Sequence, residues 1–105
     1  MEVNMELQDE IIERTDTVPS LRLDAVLGSA FNLSRTKAAE LIAANRVSID
    51  DQPCLKPSKE LKVGTLITIR GIGSARLLET GGTSKKGRLF IKTGRYRSRK
   101  PTAQE

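Results

Sequence analysis

The sequence predicts an α+β domain in which a two-helix hairpin packs on a small, mostly antiparallel sheet. The first observation is that apolar residues recur at helical spacing in two consecutive segments. They are Leu23, Val26, Leu27, Ala30 and Phe31 in the first segment, and Ala38, Leu41 and Ile42 in the second. The second observation is that the apolar period changes to two from Val47 onward, which is typical of half-buried strands.

Each predicted helix carries a start signal. Ser20 is the N-cap candidate of the first helix, with Leu21 as its first helical residue, and Ser34 is the candidate of the second. Asn45 stands where the second helix should stop, and Asn tolerates the left-handed conformation that ends many helices. Because Asn32 and Leu33 alone join the two helices, we expect them to pack as a hairpin.

The strands follow the helices. Val47 and Ile49 alternate with polar neighbours and predict a first strand, which ends in a turn over residues 50–53. Residues 66–70 are rich in β-branched side chains and predict a second strand. Residues 76–79 and 88–93 are candidates for a final pair of strands.

The distribution of charge divides the chain into three parts. The net charge is −5 over residues 1–20, +3 over residues 21–84 and +7 over residues 85–105, which gives +5 for the whole chain. We interpret residues 1–19 as an acidic linker or arm, 20–93 as the folded domain with a C-terminal strand extension, and 94–105 as a basic flexible tail. A basic body with a basic tail favours a polyanionic partner, although a solubilising surface would also show this charge.

The composition gives no support to catalysis. The chain contains no His, and its single cysteine, Cys54, has no visible activating partner. No residues have metal-ligand spacing, so we predict a protein that is not an enzyme and has no cofactor and no metal. No apolar run approaches the ~18 residues of a spanning helix. The N-terminus is acidic and lacks the positive-then-apolar pattern of a signal peptide, so we expect a cytoplasmic protein with no membrane partner. We also expect a monomer.

Cations stand at both predicted helix starts, where the helix dipole disfavours them. Arg35, Thr36 and Lys37 form the first turn after Ser34, and Arg22 opens the first helix. Free backbone N–H groups, a hydroxyl and cations at one helix start make a phosphate-binding site. The alternative is a set of solvent-facing cations whose electrostatic cost is screened by salt.

A succession of short motifs resembles the S4 domain of bacterial ribosomal protein S4, some pseudouridine synthases and tyrosyl-tRNA synthetases. It runs Leu21-Arg22-Leu23-Asp24, Ser34-Arg35, Ala38, Leu41-Ile42, Arg46-Val47, Lys56-Pro57-Ser58, Val63-Gly64 and Ile67-Thr68-Ile69-Arg70. The resemblance implies that the two helices and the following β-turn form an L-shaped surface for structured RNA. It places RNA contacts at Arg22, Ser34, Arg35, Lys37, Arg46 and Lys56. Asp24 would orient Arg22, because a carboxylate repels phosphate.

The flanking residues are similar to those of the YlmH-like proteins. The similarity rests on Thr17 to Val26 before the domain core, and on Arg70-Gly71-Ile72-Gly73 and residues 82–88 after it. It implies that this chain matches the last part of longer proteins that are associated with the large ribosomal subunit carrying stalled peptidyl-tRNA. Lys85, Lys86 and Arg88 lie in a glycine-flanked loop and would extend the RNA footprint. The sequence departs from the family at three places. Asn45 stands where the family has Gly, Asp50-Asp51 stand where it has an Asn-Gly pair, and Ser74-Ala75 separate Gly73 from Arg76.

These observations predict that the chain binds structured RNA, namely ribosomal RNA and with it tRNA on the ribosomal subunit. Three alternatives remain open at this point. The chain could be the RNA-targeting domain of a modifying enzyme such as a pseudouridine synthase, a protein-interaction module, or a binder of duplex DNA.

Overall fold

The computed structural model describes residues 10–97 of the chain. Within this part, two helices and six strands follow one another along the sequence. They are β1 Glu10–Val18, α1 Leu23–Phe31, α2 Arg35–Ala43, β2 Val47–Ile49, β3 Gln52–Pro53, β4 Leu66–Ile69, β5 Gly73–Thr83 and β6 Leu89–Arg97.

The strands form one sheet in the order β1-β6-β5-β4-β2-β3, and every neighbouring pair is antiparallel. The core lies between the helix pair and one face of this sheet. Its fully buried side chains come from both layers, and include Leu23, Leu27, Ile42, Ile67, Leu77 and Ile91. The predicted α+β fold, a two-helix hairpin on an antiparallel sheet, is confirmed. Neither helix among residues 10–97 is long and apolar enough to span a bilayer.

The start of α2 follows the sequence prediction, and the start of α1 does not. Ser34 caps α2, because its side chain accepts a hydrogen bond from the Lys37 amide. Helix α1 begins at Leu23 instead of Leu21, with Arg22 as its N-cap. The physical reason is that Arg22 forms an isolated bridge with Glu60, which holds Arg22 in extended conformation.

The turn between β2 and β3 keeps its shape without glycine. Asp50 and Asp51 both have positive φ values, 49° and 68°. Two consecutive positive values are typical of the mirror-image turn that closes two-residue hairpins, and Asp enters that region more readily than most residues. Asn45, at φ 64°, likewise adopts the left-handed conformation expected after α2.

The interpretation of residues 1–19 as a linker or loosely attached arm is wrong for residues 10–18. These residues form β1, which pairs with β6 from Glu10–Arg97 to Val18–Leu89. Val18 is 2% exposed and belongs to the core, so the strand is part of the domain. Residues 1–9 lie outside the described part.

The predicted boundary of the tail at residue 94 also needs correction. Strand β6 continues to Arg97, because β5 and β1 pair with it on both sides. Residues 98–105 lie outside the described part. Phe90, on β6, does not belong to the core, since it is 41% exposed. It alternates along β6 with the buried Ile91 and therefore faces away from the helices.

Candidate nucleic-acid interface

The first turn of α2 presents hydrogen-bond donors to solvent. Arg35, Thr36 and Lys37 are all exposed. Ser34 Oγ accepts from the Lys37 amide at 3.0 Å, while the amides of Arg35 and Thr36, at the helix start, have no carbonyl partner within the helix. Such N–H groups, with the positive end of the helix dipole, favour an anion. The free amides and exposed cations expected from the sequence lie at the start of α2, while phosphate binding there stays a prediction.

The start of α1 differs, because a loop occupies its amides. The amide of Leu23 donates to the Lys59 carbonyl at 2.8 Å, and that of Asp24 donates to the Pro57 carbonyl at 3.1 Å. Arg22 can therefore reach a phosphate through its side chain, but these two amides cannot. The same loop carries Lys56 and Lys59 beside the start of α1, and both side chains are exposed.

A single buried carboxylate holds two of the predicted RNA contacts together. Asp24 Oδ2 accepts from Arg22 Nη2 at 3.1 Å and from Arg35 Nη2 at 3.2 Å. The Asp24 side chain is 8% exposed, whereas those of Arg22 and Arg35 are 44% and 49% exposed. The expected contact between Asp24 and Arg22 is present, and Arg35 joins it.

The shared carboxylate has two opposite effects on anion binding. It reduces the local charge of the two arginines from two to one. It also fixes both guanidinium groups side by side, while each keeps further N–H donors directed elsewhere, since a guanidinium carries five. Asp24 Oδ1 is buried and has no hydrogen-bond partner among the described residues. We conclude that Asp24 positions the pair.

Arg46 lies at the other end of α2 and forms a separate group with Arg70. Arg46 Nη2 donates to the Arg70 carbonyl at 2.6 Å, and Arg70 Nη2 donates to the Asn45 carbonyl at 3.2 Å. Nine helical residues separate this group from the α2 start, which corresponds to about 13 Å. Arg70 was not among the predicted contacts. Only the pairing of β2 with β4 brings it to Arg46, so no local pattern could have identified it.

The hairpin between β5 and β6 divides its three cations into two groups. Ser84 organises the turn, since its hydroxyl accepts from the amides of Lys86 and Arg88. Lys85 and Lys86 are exposed at the tip. Arg88 instead points to β1, where its Nε donates to Thr17 Oγ1 at 3.1 Å and its Nη2 to the Thr17 carbonyl at 2.9 Å. Arg88 therefore attaches the end of β1 to the hairpin.

The aromatic side chains do not form a platform for stacked bases near the α2 start. Phe31 is 4% exposed in the core, as predicted, and Arg95 lies over its ring at 4.9 Å from the centroid. Tyr96 lies on β6 with its hydroxyl accepting from Arg76 Nε at 3.2 Å, which raises the pKa of Arg76. Recognition of RNA shape and backbone fits this surface better than base stacking.

The comparisons with known proteins agree with the geometry. Residues 21–67 match the family model described as the S4 domain. The chain is also 37% identical over 78 residues to the ribosome-associated protein quality control protein P2 of Bacillus subtilis strain 168. That alignment covers 74% of this chain and 30% of the relative, so the chain spans less than a third of the length of the relative it matches. The segment over residues 21–67, which includes both helices, is therefore similar to the S4 domain.

Proposed function

We propose that this chain binds structured ribosomal RNA on the ribosome, by capturing backbone phosphates at the start of α2. The observation that carries the proposal is the convergence of Arg22 and Arg35 on Asp24, beside the free amides of the α2 first turn. Lys37, on the same turn, and Lys56, in the loop beside Arg22, add positive charge around this point. Arg46 with Arg70 provides a second contact region at the far end of α2.

The ribosome is proposed as the location because the Bacillus subtilis relative is named as ribosome-associated. The proposed role is binding without catalysis, in translation or ribosome quality control in the cytoplasm. The absence of His from the sequence supports this role, because the commonest general base is missing.

The test replaces Arg35 and Lys37 together by Glu. We expect affinity for large-subunit ribosomal RNA, measured by filter binding at fixed salt, to fall at least tenfold, because two attractive charges become repulsive at the helix start. Circular dichroism should show the same secondary structure, since both side chains are exposed, while the Tm should fall because the Arg35–Asp24 ion pair is lost. Unchanged affinity would refute the helix-start site.

A matched pair of neutral variants separates position from net charge. One double variant carries Arg35→Gln and Lys37→Gln, and the other carries Arg76→Gln and Lys92→Gln. Both remove the same amount of positive charge from the chain. Arg76 and Lys92 alternate with the buried Ala75, Leu77 and Ile91, so they lie on the sheet face away from the helices. The first pair should weaken RNA binding severalfold more than the second. Transfer RNA and duplex DNA are the competitors, and equal affinity for duplex DNA would contradict the proposal.

A further inference from the structure

A cleft with cationic walls lies between β1, the helix pair and the β5–β6 hairpin. Its volume is about 360 Å³, within the lower part of the range for ligand pockets. Three arginines line it, each from a different part of the chain: Arg14 from β1, Arg35 from α2 and Arg88 from the end of the hairpin. The acidic side chain in its wall is Asp16.

The carboxylate of Asp16 already interacts with neighbouring groups of the protein. Its carboxylate accepts from the Ser29 hydroxyl at 2.8 Å and from the Thr17 amide at 2.8 Å, and Arg14 Nη2 lies 3.8 Å away. Burial raises the pKa of Asp16, but these hydrogen bonds and the charges of Arg14 and Arg88 outweigh it and lower the pKa. The carboxylate therefore stays charged at neutral pH and links β1 to α1. The net charge of the three arginines and Asp16 remains positive.

Two of the three arginines, Arg35 and Arg88, are held in place by hydrogen bonds and still have donors to offer. Arg88 uses two N–H groups on Thr17, and Arg35 uses one on Asp24. A guanidinium has five such groups, so each keeps several for a ligand. Guanidinium groups fixed in this way suit a phosphate, because its oxygens can accept paired hydrogen bonds and little side-chain entropy remains to be lost.

We propose that this cleft binds a backbone phosphate of the same RNA that the α2 start captures. The inference rests on the proposed function and adds a second contact to it. Arg35 belongs to both places, since it stands in the first turn of α2 and lines the cleft. Beyond the cleft, Arg88 leads to the exposed Lys85 and Lys86 of the hairpin. An RNA strand that runs from the α2 start through the cleft would pass Arg88 and reach Lys85 and Lys86 at the hairpin tip.

The experiment uses Arg14→Gln in the full chain, with Lys92→Gln as the control. Arg14 is 46% exposed, so its replacement should leave the fold intact. Both variants lower the net charge by one, but Lys92 lies on the opposite face of the sheet. We expect Arg14→Gln to weaken binding of large-subunit ribosomal RNA by about threefold to tenfold and to reduce the salt slope by roughly 0.7–0.9. Lys92→Gln should change the affinity less than about twofold, because Lys92 lies away from the RNA, where its charge is screened, and is paired with Glu13 and Glu79.

The outcomes separate this inference from the proposed function. In one outcome, the double variant Arg35→Glu and Lys37→Glu weakens RNA binding while Arg14→Gln binds RNA as well as the Lys92→Gln control does. That result overturns the cleft proposal and leaves the helix-start site standing. If the unmodified chain binds no RNA, both are overturned. A calorimetric titration with AMP tests a free nucleotide as the occupant. Saturable AMP binding that Arg14→Gln abolishes, without any loss of RNA affinity, would also overturn the proposal.

Discussion

Replacing Asp24 by Asn tests whether this buried carboxylate positions the RNA-binding arginines. The carboxylate holds Arg22 and Arg35 at 3.1 Å and 3.2 Å. Net charge and positioning predict opposite results. The variant gains one positive charge, which by itself should strengthen RNA binding. It loses the anion that orders two guanidinium groups, which should weaken binding.

The expected loss of folding stability in Asp24→Asn follows from the exposure of the three side chains. Hydrogen bonds to a charged group contribute about 1.5–3 kcal/mol each, roughly twice the contribution of neutral ones. Since Arg22 and Arg35 are 44% and 49% exposed, solvent screening reduces the loss for the two bonds together to about 1 kcal/mol of folding stability. For a domain of this size that corresponds to a fall of about 4–8 °C in Tm.

The effect on RNA binding comes from the two released side chains. Immobilising a long side chain on binding costs about 0.5–1.5 kcal/mol, and Asp24 removes this cost in advance for both arginines. Set against the gain of one charge, the expected result is an affinity about threefold to tenfold lower. Filter binding with large-subunit ribosomal RNA, well below the Tm of the variant, measures it.

Asp51→Asn is the matched control for the change in charge. Asp51 is exposed at the β2–β3 turn, and its positive φ of 68° suits Asn as well. This variant gains the same charge without releasing an arginine, so its RNA affinity should stay the same or rise. An Asp24→Asn protein that binds RNA as well as Asp51→Asn does would show that Asp24 has no positioning role.

Two further predictions concern stability. Inside a helix, Ala is ordinarily about 1 kcal/mol more favourable than Gly. Gly28→Ala should nevertheless destabilise the domain by about 1–3 kcal/mol, because the new Cβ would lie 2.8 Å from the Leu33 carbonyl oxygen. A Tm equal to or above that of the native chain would contradict this prediction. The pKa of Asp16 is lower in the folded state than its ordinary value of 3.8. The charged carboxylate therefore contributes its full stabilisation at pH values above 3.8, and this contribution is lost as the pH falls through the lower pKa of the folded state. The Asp16→Asn variant should therefore be less stable than the native chain at neutral pH and should lose less stability on acidification. Urea denaturation at neutral pH and at about pH 3 measures both differences. If the two proteins show the same pH dependence, Asp16 does not have this role.

The structural features that local chemistry determines could be predicted from the sequence. Ser34 caps α2 because the hydroxyl of a serine directly before a helix reaches the third amide after it. The alternation of Val47 and Ile49 indicated β2 for a similar reason, since side chains along a strand alternate between faces.

The errors occurred where distant segments pair. Strand β1 was missed because its apolar residues Ile11 and Ile12 are adjacent, so they show no period of two. Its stability comes from pairing with β6, more than seventy residues away in the sequence. The start of α1 was misplaced because Glu60 pairs with Arg22 and keeps it extended. Neither contact leaves a signal in the neighbouring residues.

The sequence by itself determined the helix hairpin, the cap of α2, the residue types of the candidate site and the basic character of the chain, because each depends on residues within a few positions of one another. The tertiary structure alone decided how those cations are grouped. Asp24 joins Arg22 to Arg35, Arg46 meets Arg70 across β2 and β4, and β1 completes a cleft with Arg14 and Arg88. Electrostatic binding depends on distances between charges, and those distances exist only once the sheet has brought separate parts of the chain together.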